Sequence, residues 1–177
     1  MKTVIGDITK LKTVQVIVNA ANGKGPMGRG VAGAIGQAGG LTLRNEVRRT
    51  CESRGGYKEG ECYVSTSGDM EKRGIQKVYH AVTMEYPGGR TSLDIVETAM
   101  KAVLDKAIEN GIKTIAFPGL GTGVGALDPK AVATVMTRVA KKYNSQIEIT
   151  IADIDVDFIN FVREAYSGGD STDGQVK

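Results

Sequence analysis

The chain has no tryptophan, one histidine, two cysteines and four prolines among its 177 residues. Each scarcity excludes something. Cys51 and Cys62 make neither a disulfide framework nor a metal-ligand spacing. They read as reduced thiols of a cytoplasmic protein. The lone histidine, His80, lies in a strand pattern beside Tyr79 and Val82, where a core role is the simpler reading. That leaves no Ser/His/Asp or Cys/His set at hand for nucleophilic catalysis. No apolar run approaches the roughly 18 residues that suggest a membrane span. No basic-then-apolar start reads as a signal peptide, so no membrane partner is expected. Aromatics are 5% of the chain and are not interleaved with basic residues. The net charge is only +3, with Lys and Arg dispersed apart from short pairs such as Arg48-Arg49 and Lys141-Lys142. Without a basic stripe, nucleic acid is a disfavoured partner. Neither a metal nor a cofactor is expected.

Glycine, in contrast, is plentiful at 24 residues. It clusters over residues 23–40, over 119–125 and after Tyr166. Such clusters mark tight loops or close approach of backbone to a ligand. The length suits one domain. Six β-branched runs read as strands: Thr3–Ile5, Val14–Val18, Cys62–Thr66, Lys77–Val82, Lys113–Phe117 and Ile147–Ile151. Apolar periodicity predicts helices over 93–109, 129–142 and 156–166, with two shorter ones over 29–37 and 41–53 separated by Gly39-Gly40. Thr91 and Asp94 suggest a capping box, Asp128 and Asp155 suggest N-caps, and Pro129 fits a first helical position. The second half alternates strand and helix, which implies a largely parallel sheet between helix layers. Adjacent strands in the first half add antiparallel pairing, so the sheet should be mixed. Residues 167–177, SGGDSTDGQVK, carry no apolar anchor and read as a flexible polar tail.

Gly28-x-Gly30-x-x-Gly33 matches the dinucleotide fingerprint as a string. The fingerprint requires a strand immediately before the glycines and an acid about 20 residues on for the ribose. Here nine residues, NAANGKGPM, separate Val18 from Gly28, and the downstream region is basic. That reading fails on context. The second cluster, FPGLGTGVGALDP, follows a strand directly and precedes a capped helix. In an α/β sheet that loop lies at the carboxyl edge, where ligands bind. Glycines at every second position leave amides open to phosphate oxygens. Asn19 and Asn22, in VNAAN, are placed in the loop after the second strand. Either could grip a ribose diol or cap loop backbone; the ligand role is favoured for Asn22. Asp7, in GDIT, could accept from an exocyclic amine or form a simple Asx-turn.

Five stretches in order resemble the macro domain family: GDIT at 6–9, IVNAAN at 17–22, GRGVAGAI at 28–35, VYHAV at 78–82 and AFPGLGTGVGALDP at 116–129. The resemblance implies a three-layer α/β/α fold with a mixed, mainly parallel six-stranded sheet over residues 1–166. It implies binding of ADP-ribose, free or on an ADP-ribosylated protein, and a monomer is expected. Asp7 would meet the adenine amine and Ile8 would line that pocket. Asn22 would contact the distal ribose, with Asn19 shaping its loop. Gly28, Gly30 and Val31 would pack on the distal ribose and diphosphate. Gly121, Thr122, Gly123, Val124 and Gly125 would wrap the diphosphate. Where some members stack adenine on an aromatic, this chain has Ala152-Asp153-Ile154, so Asp153 joins the ligand-binding candidates. Hydrolytic members of one branch carry an Asp where this chain has Ala32. Binding is therefore better supported than catalysis. Hydrolysis of ADP-ribosyl esters would rest on a water positioned by Asn22 and the substrate phosphate. The alternatives are an ADP-ribose 1''-phosphate phosphatase, an O-acetyl-ADP-ribose deacetylase, or a non-catalytic poly(ADP-ribose)- or RNA-binding module.

Overall fold

A computed structural model describes residues 1–168 in full and continues the backbone of the last helix to Val176. Six strands form one sheet: β1 (Lys2–Ile5), β2 (Val16–Asn22), β3 (Cys62–Thr66), β4 (Lys77–Met84), β5 (Thr114–Phe117) and β6 (Glu148–Asp153). Their order is β1-β6-β5-β2-β4-β3. Every neighbouring pair is parallel except β3 with β4. The sheet is thus mixed and mainly parallel, as expected.

Residues of β2 alternate between two cores. Val16 and Val18 face one buried cluster, and Ile17 faces the other. All three are fully buried, which explains the unbroken apolar run of a strand covered on both faces. One cluster packs under α2 (Leu93–Glu109), α3 (Pro129–Tyr143) and the start of α4 (Val156–Val176). The other lies under α1 (Gly30–Arg54) and two short 3₁₀ turns, Ile8–Lys10 and Gly68–Arg73. Helices thus cover both faces of the sheet, giving three layers.

The local signals are mostly realised. Asp128 accepts from Ala131 N at 3.2 Å with Pro129 behind it, opening α3. Asp155 accepts from the amides of Asp157 and Phe158 at the start of α4. α1 is broken at Gly40, whose φ of 78° and ψ of −172° are not helical, so the expected pair of helices stands end to end. Three expectations need correction. The cap of α2 is Ser92, which accepts from Ile95 N at 3.2 Å, not Thr91. β2 begins at Val16 and runs on to Asn22, so Asn19 lies inside the strand rather than in the loop after it. α4 continues past Tyr166 through Ser167 and Gly168. Most of the tail expected over 167–177 lies outside the fully described residues.

Candidate functional site

The five mutually parallel strands deliver their carboxyl ends to one edge of the sheet. A cleft of about 820 Å³ opens there. Asp7 and Ile8 follow β1, Asn22 ends β2, Thr83 and Met84 end β4, Pro118 follows β5 and Asp153 ends β6; all of them line it. One wall is the loop Pro26–Gly30 with the start of α1, and the other is the loop Gly119–Gly125. All the expected site residues line this cleft except Asn19.

The two walls use glycine in different ways. In the second loop, a β-carbon on Gly125 would fall 2.6 Å from Thr91 Cγ2, so packing demands glycine there. Gly28 and Gly123 are different. A β-carbon at either position would meet nothing within 4 Å, and neither has a positive φ. Neither packing nor backbone conformation requires glycine at these two positions. Both line the cleft, and a missing side chain there keeps open the space that a bound molecule would occupy.

The polar candidates are more committed than the sequence implied. Asp7 Oδ1 accepts from Thr9 N at 2.9 Å and from Thr9 Oγ1 at 2.7 Å, so the Asx-turn exists. Both bonds fall on Oδ1, which keeps Oδ2 for another donor. Asn22 organises the loop behind it: Oδ1 accepts from the amides of Lys24 and Gly25, each at 2.9 Å, and Nδ2 donates to Pro26 O at 3.0 Å. Its carbonyl is therefore occupied, and the second Nδ2 hydrogen is what it has left to offer. Asp153 ties two ends of the site together. Its Oδ2 accepts from Gly119 N and its Oδ1 from Asp155 N, each at 2.9 Å.

Asn19 is 1% exposed, and its Nδ2 lies 3.1 Å from His80 Nδ1. It holds the core histidine instead of shaping the loop. His80 Nε2 lies 2.8 Å from Ser65 Oγ, and the ring stacks on Tyr63 with centroids 4.4 Å apart. Ser65 Oγ also donates to Thr66 O at 2.9 Å. A consistent donor chain then gives Nε2 the proton, with Nδ1 accepting from Asn19. Burial lowers the His80 pKa to about 3, so the ring is neutral. It is a structural residue away from the cleft. Burial likewise disfavours both thiolates, pushing Cys62 up to about 12 and raising Cys51.

Sequence reasoning missed the turn after β4. Pro87 and Gly88 line the cleft, and Gly89 N donates to Tyr86 O at 2.9 Å to close the turn. The signal was present in Tyr86-Pro87-Gly88-Gly89, since Pro-Gly marks a turn and this one follows a strand that ends at the ligand edge. Ile154 was missed as well. It lines the cleft yet is 77% exposed, an apolar lip on the side of Asp7.

The cleft's chemistry is one of placement. Among the described residues its lining holds no His, Lys, Glu, Ser, Tyr or Cys. Its carboxylates are Asp7, Asp153 and Asp155, all bonded to backbone amides. No gathering of three or more His, Cys, Asp or Glu able to hold a metal occurs among the described residues, nor any helix long and apolar enough to cross a membrane.

Fold and cleft together define a three-layer α/β/α domain whose site lies at the carboxyl edge of a mainly parallel sheet. Comparison with known proteins makes the class specific. The family model described as "Macro domain" matches residues 18–136. An uncharacterised protein of Aquifex aeolicus is 34% identical over 161 residues, 90% of this chain and 93% of that protein. A protein of Enterobacter cloacae named O-acetyl-ADP-ribose deacetylase is 37% identical over 141 residues, 79% of this chain and 76% of the relative. A mutant of the Oceanobacillus iheyensis macrodomain, solved with ADPR, superposes with a TM-score of 0.81 at 23% identity, covering 94% of this chain and 91% of that one. The chain belongs to the macro domain family.

Proposed function

We propose that the cleft binds ADP-ribose, either free or as the terminal ADP-ribosyl group of a modified protein. The observation that carries this reading is the pair of unobstructed glycines, Gly28 and Gly123, in facing loops of one cleft. Backbone amides in such loops suit a diphosphate. The orientation follows from charge. Asp7, Asp153 and Asp155 make one end acidic, which repels phosphate and accepts from the adenine amine. Ile8 and Ile154 then flank the base. The distal ribose falls at the Asn22 end, beside Gly28, Gly30 and Val31. The domain spans residues 1–166 in this reading and acts as a monomer in the cytoplasm, in keeping with its two unpaired thiols.

Turnover is a second reading, favoured by the name of the Enterobacter relative. With Ala32 where one hydrolytic branch carries an Asp, and no His, Lys or Glu in the lining among the described residues, it would depend on a water positioned by Asn22 and the substrate. A single calorimetric series tests both. ADP-ribose is titrated into wild type and into Gly123→Val, a position where an added β-carbon meets nothing within 4 Å and φ is not positive. We expect heat with wild type and at least about tenfold weaker binding with the variant, about 1.4 kcal/mol. Absence of heat with wild type overturns the reading. Incubation with O-acetyl-ADP-ribose and with an ADP-ribosylated protein then separates a reader from a hydrolase, by acetate or ADP-ribose released.

A further inference from the structure

Dispersed in sequence, four cations gather at one end of the cleft. Arg29 lines it, and Lys24 lies in the loop after Asn22, where its Nζ donates to Gly55 O at 3.4 Å and sits 4.7 Å over the Tyr86 ring. The α1 backbone at Arg48 backs the same loop: a β-carbon on Gly25 would sit 3.3 Å from Arg48 Cα. Arg44 folds toward it too, since a β-carbon on Gly36 would sit 3.0 Å from Arg44 Nε and 3.1 Å from Met27 Cβ. Arg44 and Arg48 are one helical turn apart on α1, and both are exposed. Among the described residues none of the four has a carboxylate within ion-pair distance, whereas Arg54, Lys101 and Arg138 do. The opposite end carries Asp7, Asp153 and Asp155. The cleft is therefore polarised along its length.

We propose that Lys24, Arg29, Arg44 and Arg48 form a docking surface for an acidic polypeptide segment, the part of a modified protein that flanks its ADP-ribosyl group. This deepens the ADP-ribose reading and rests on it. The distal ribose, through which the modifier is attached, lies at the cationic end. A strand of nucleotides would use the same charge but needs aromatic platforms. Those nearby are occupied. Tyr57 is stacked on Tyr63 at 4.5 Å and covered by Arg54 at 4.2 Å, and Tyr86 has Lys24 over its ring at 4.7 Å. Carboxylates need no platform.

The test compares three ligands by calorimetry: ADP-ribose, an ADP-ribosylated peptide rich in Asp and Glu, and the same peptide with Asn and Gln instead. Wild type should bind the acidic peptide about fivefold tighter than the neutral one, as a few exposed ion pairs allow. Arg44→Gln with Arg48→Gln should remove that preference and leave ADP-ribose affinity unchanged, because neither residue lines the cleft. Should the double variant misfold, salt decides on wild type alone. The preference must vanish by about 0.5 M salt, where exposed charges are screened. Equal affinity for the two peptides, or a preference indifferent to salt, overturns the docking surface alone. Stronger competition by a single-stranded oligonucleotide than by the acidic peptide also overturns it. No binding of ADP-ribose by wild type overturns the cleft reading and this surface with it.

Discussion

His80 shows how a residue with catalytic potential is put to structural use. It is fully buried, and burial lowers its pKa to about 3 from the usual 6.5 of an exposed imidazole. The folded chain therefore keeps the ring neutral where the unfolded chain protonates it. Below about pH 6.5 the unfolded state binds the extra proton, so stability falls as pH falls, by about 1.4 kcal/mol per pH unit. Above that pH this contribution is fully present. Since His80 is the only histidine, the decline between about pH 6.5 and 5 is expected to be mainly its own. Urea unfolding at pH 7, 6 and 5 should show it, and His80→Gln should flatten it. Equal stability of wild type at pH 7 and 5 would contradict the neutral buried ring. A core role for this residue was legible from its strand neighbours. Its partner was not, because only strand pairing brings Asn19 opposite His80. The same limit applies to Asn22. The residue type announced hydrogen bonding, but not that its carbonyl would be spent on Lys24 and Gly25.

At the scale of elements, the punctuation of the chain carries most of the information. Gly39-Gly40 marked a break, and Gly40 makes it, with φ 78° and ψ −172°. That region is essentially closed to other residues. A β-carbon there would also lie 2.8 Å from Asp69 Oδ2. Gly40→Ala should cost about 1–3 kcal/mol, read as a lower urea midpoint with an unchanged slope. An unchanged midpoint would mean that α1 can straighten through the break. Asp128→Ala at the start of α3 should cost about 1 kcal/mol by loss of its cap, and Asp128→Asn should recover most of it. The boundary errors share a cause. β2 looked finished at Val18 because apolar residues stop there, yet Asn19 and Ala20 still pair with His80 and Ala81. A strand continues as long as its backbone has a partner, and side-chain polarity reports this only indirectly. Thr91 looked like the start of a capping box, and the backbone places the cap one residue on, at Ser92.

For the whole molecule, the parallel sheet decides where the site can be. Parallel strands with helical crossovers bring the loops after β1, β2, β4, β5 and β6 to one edge, so residues as distant in sequence as Asp7 and Asp153 meet there. The two glycine walls were legible because an unexplained run of glycine is visible in one dimension. The charge gradient was not, since it depends on α1 folding Arg44 and Arg48 back against the loop around Gly25 and Met27. The same convergence makes the ligand a structural element. The cleft is lined by segments reaching from Gly6 to Asp155, so a molecule filling it touches both ends of the domain at once. If it binds only the folded chain, ADP-ribose at about 100 times its Kd should add about 2.7 kcal/mol of stability. For a domain of this size that is about 5–10 °C in Tm. Amide exchange should slow in Gly119–Gly125 and around Asn22–Gly30 together, because one ligand bridges both walls. Protection of a single wall, with no rise in Tm, would mean that the loops do not close on a common diphosphate.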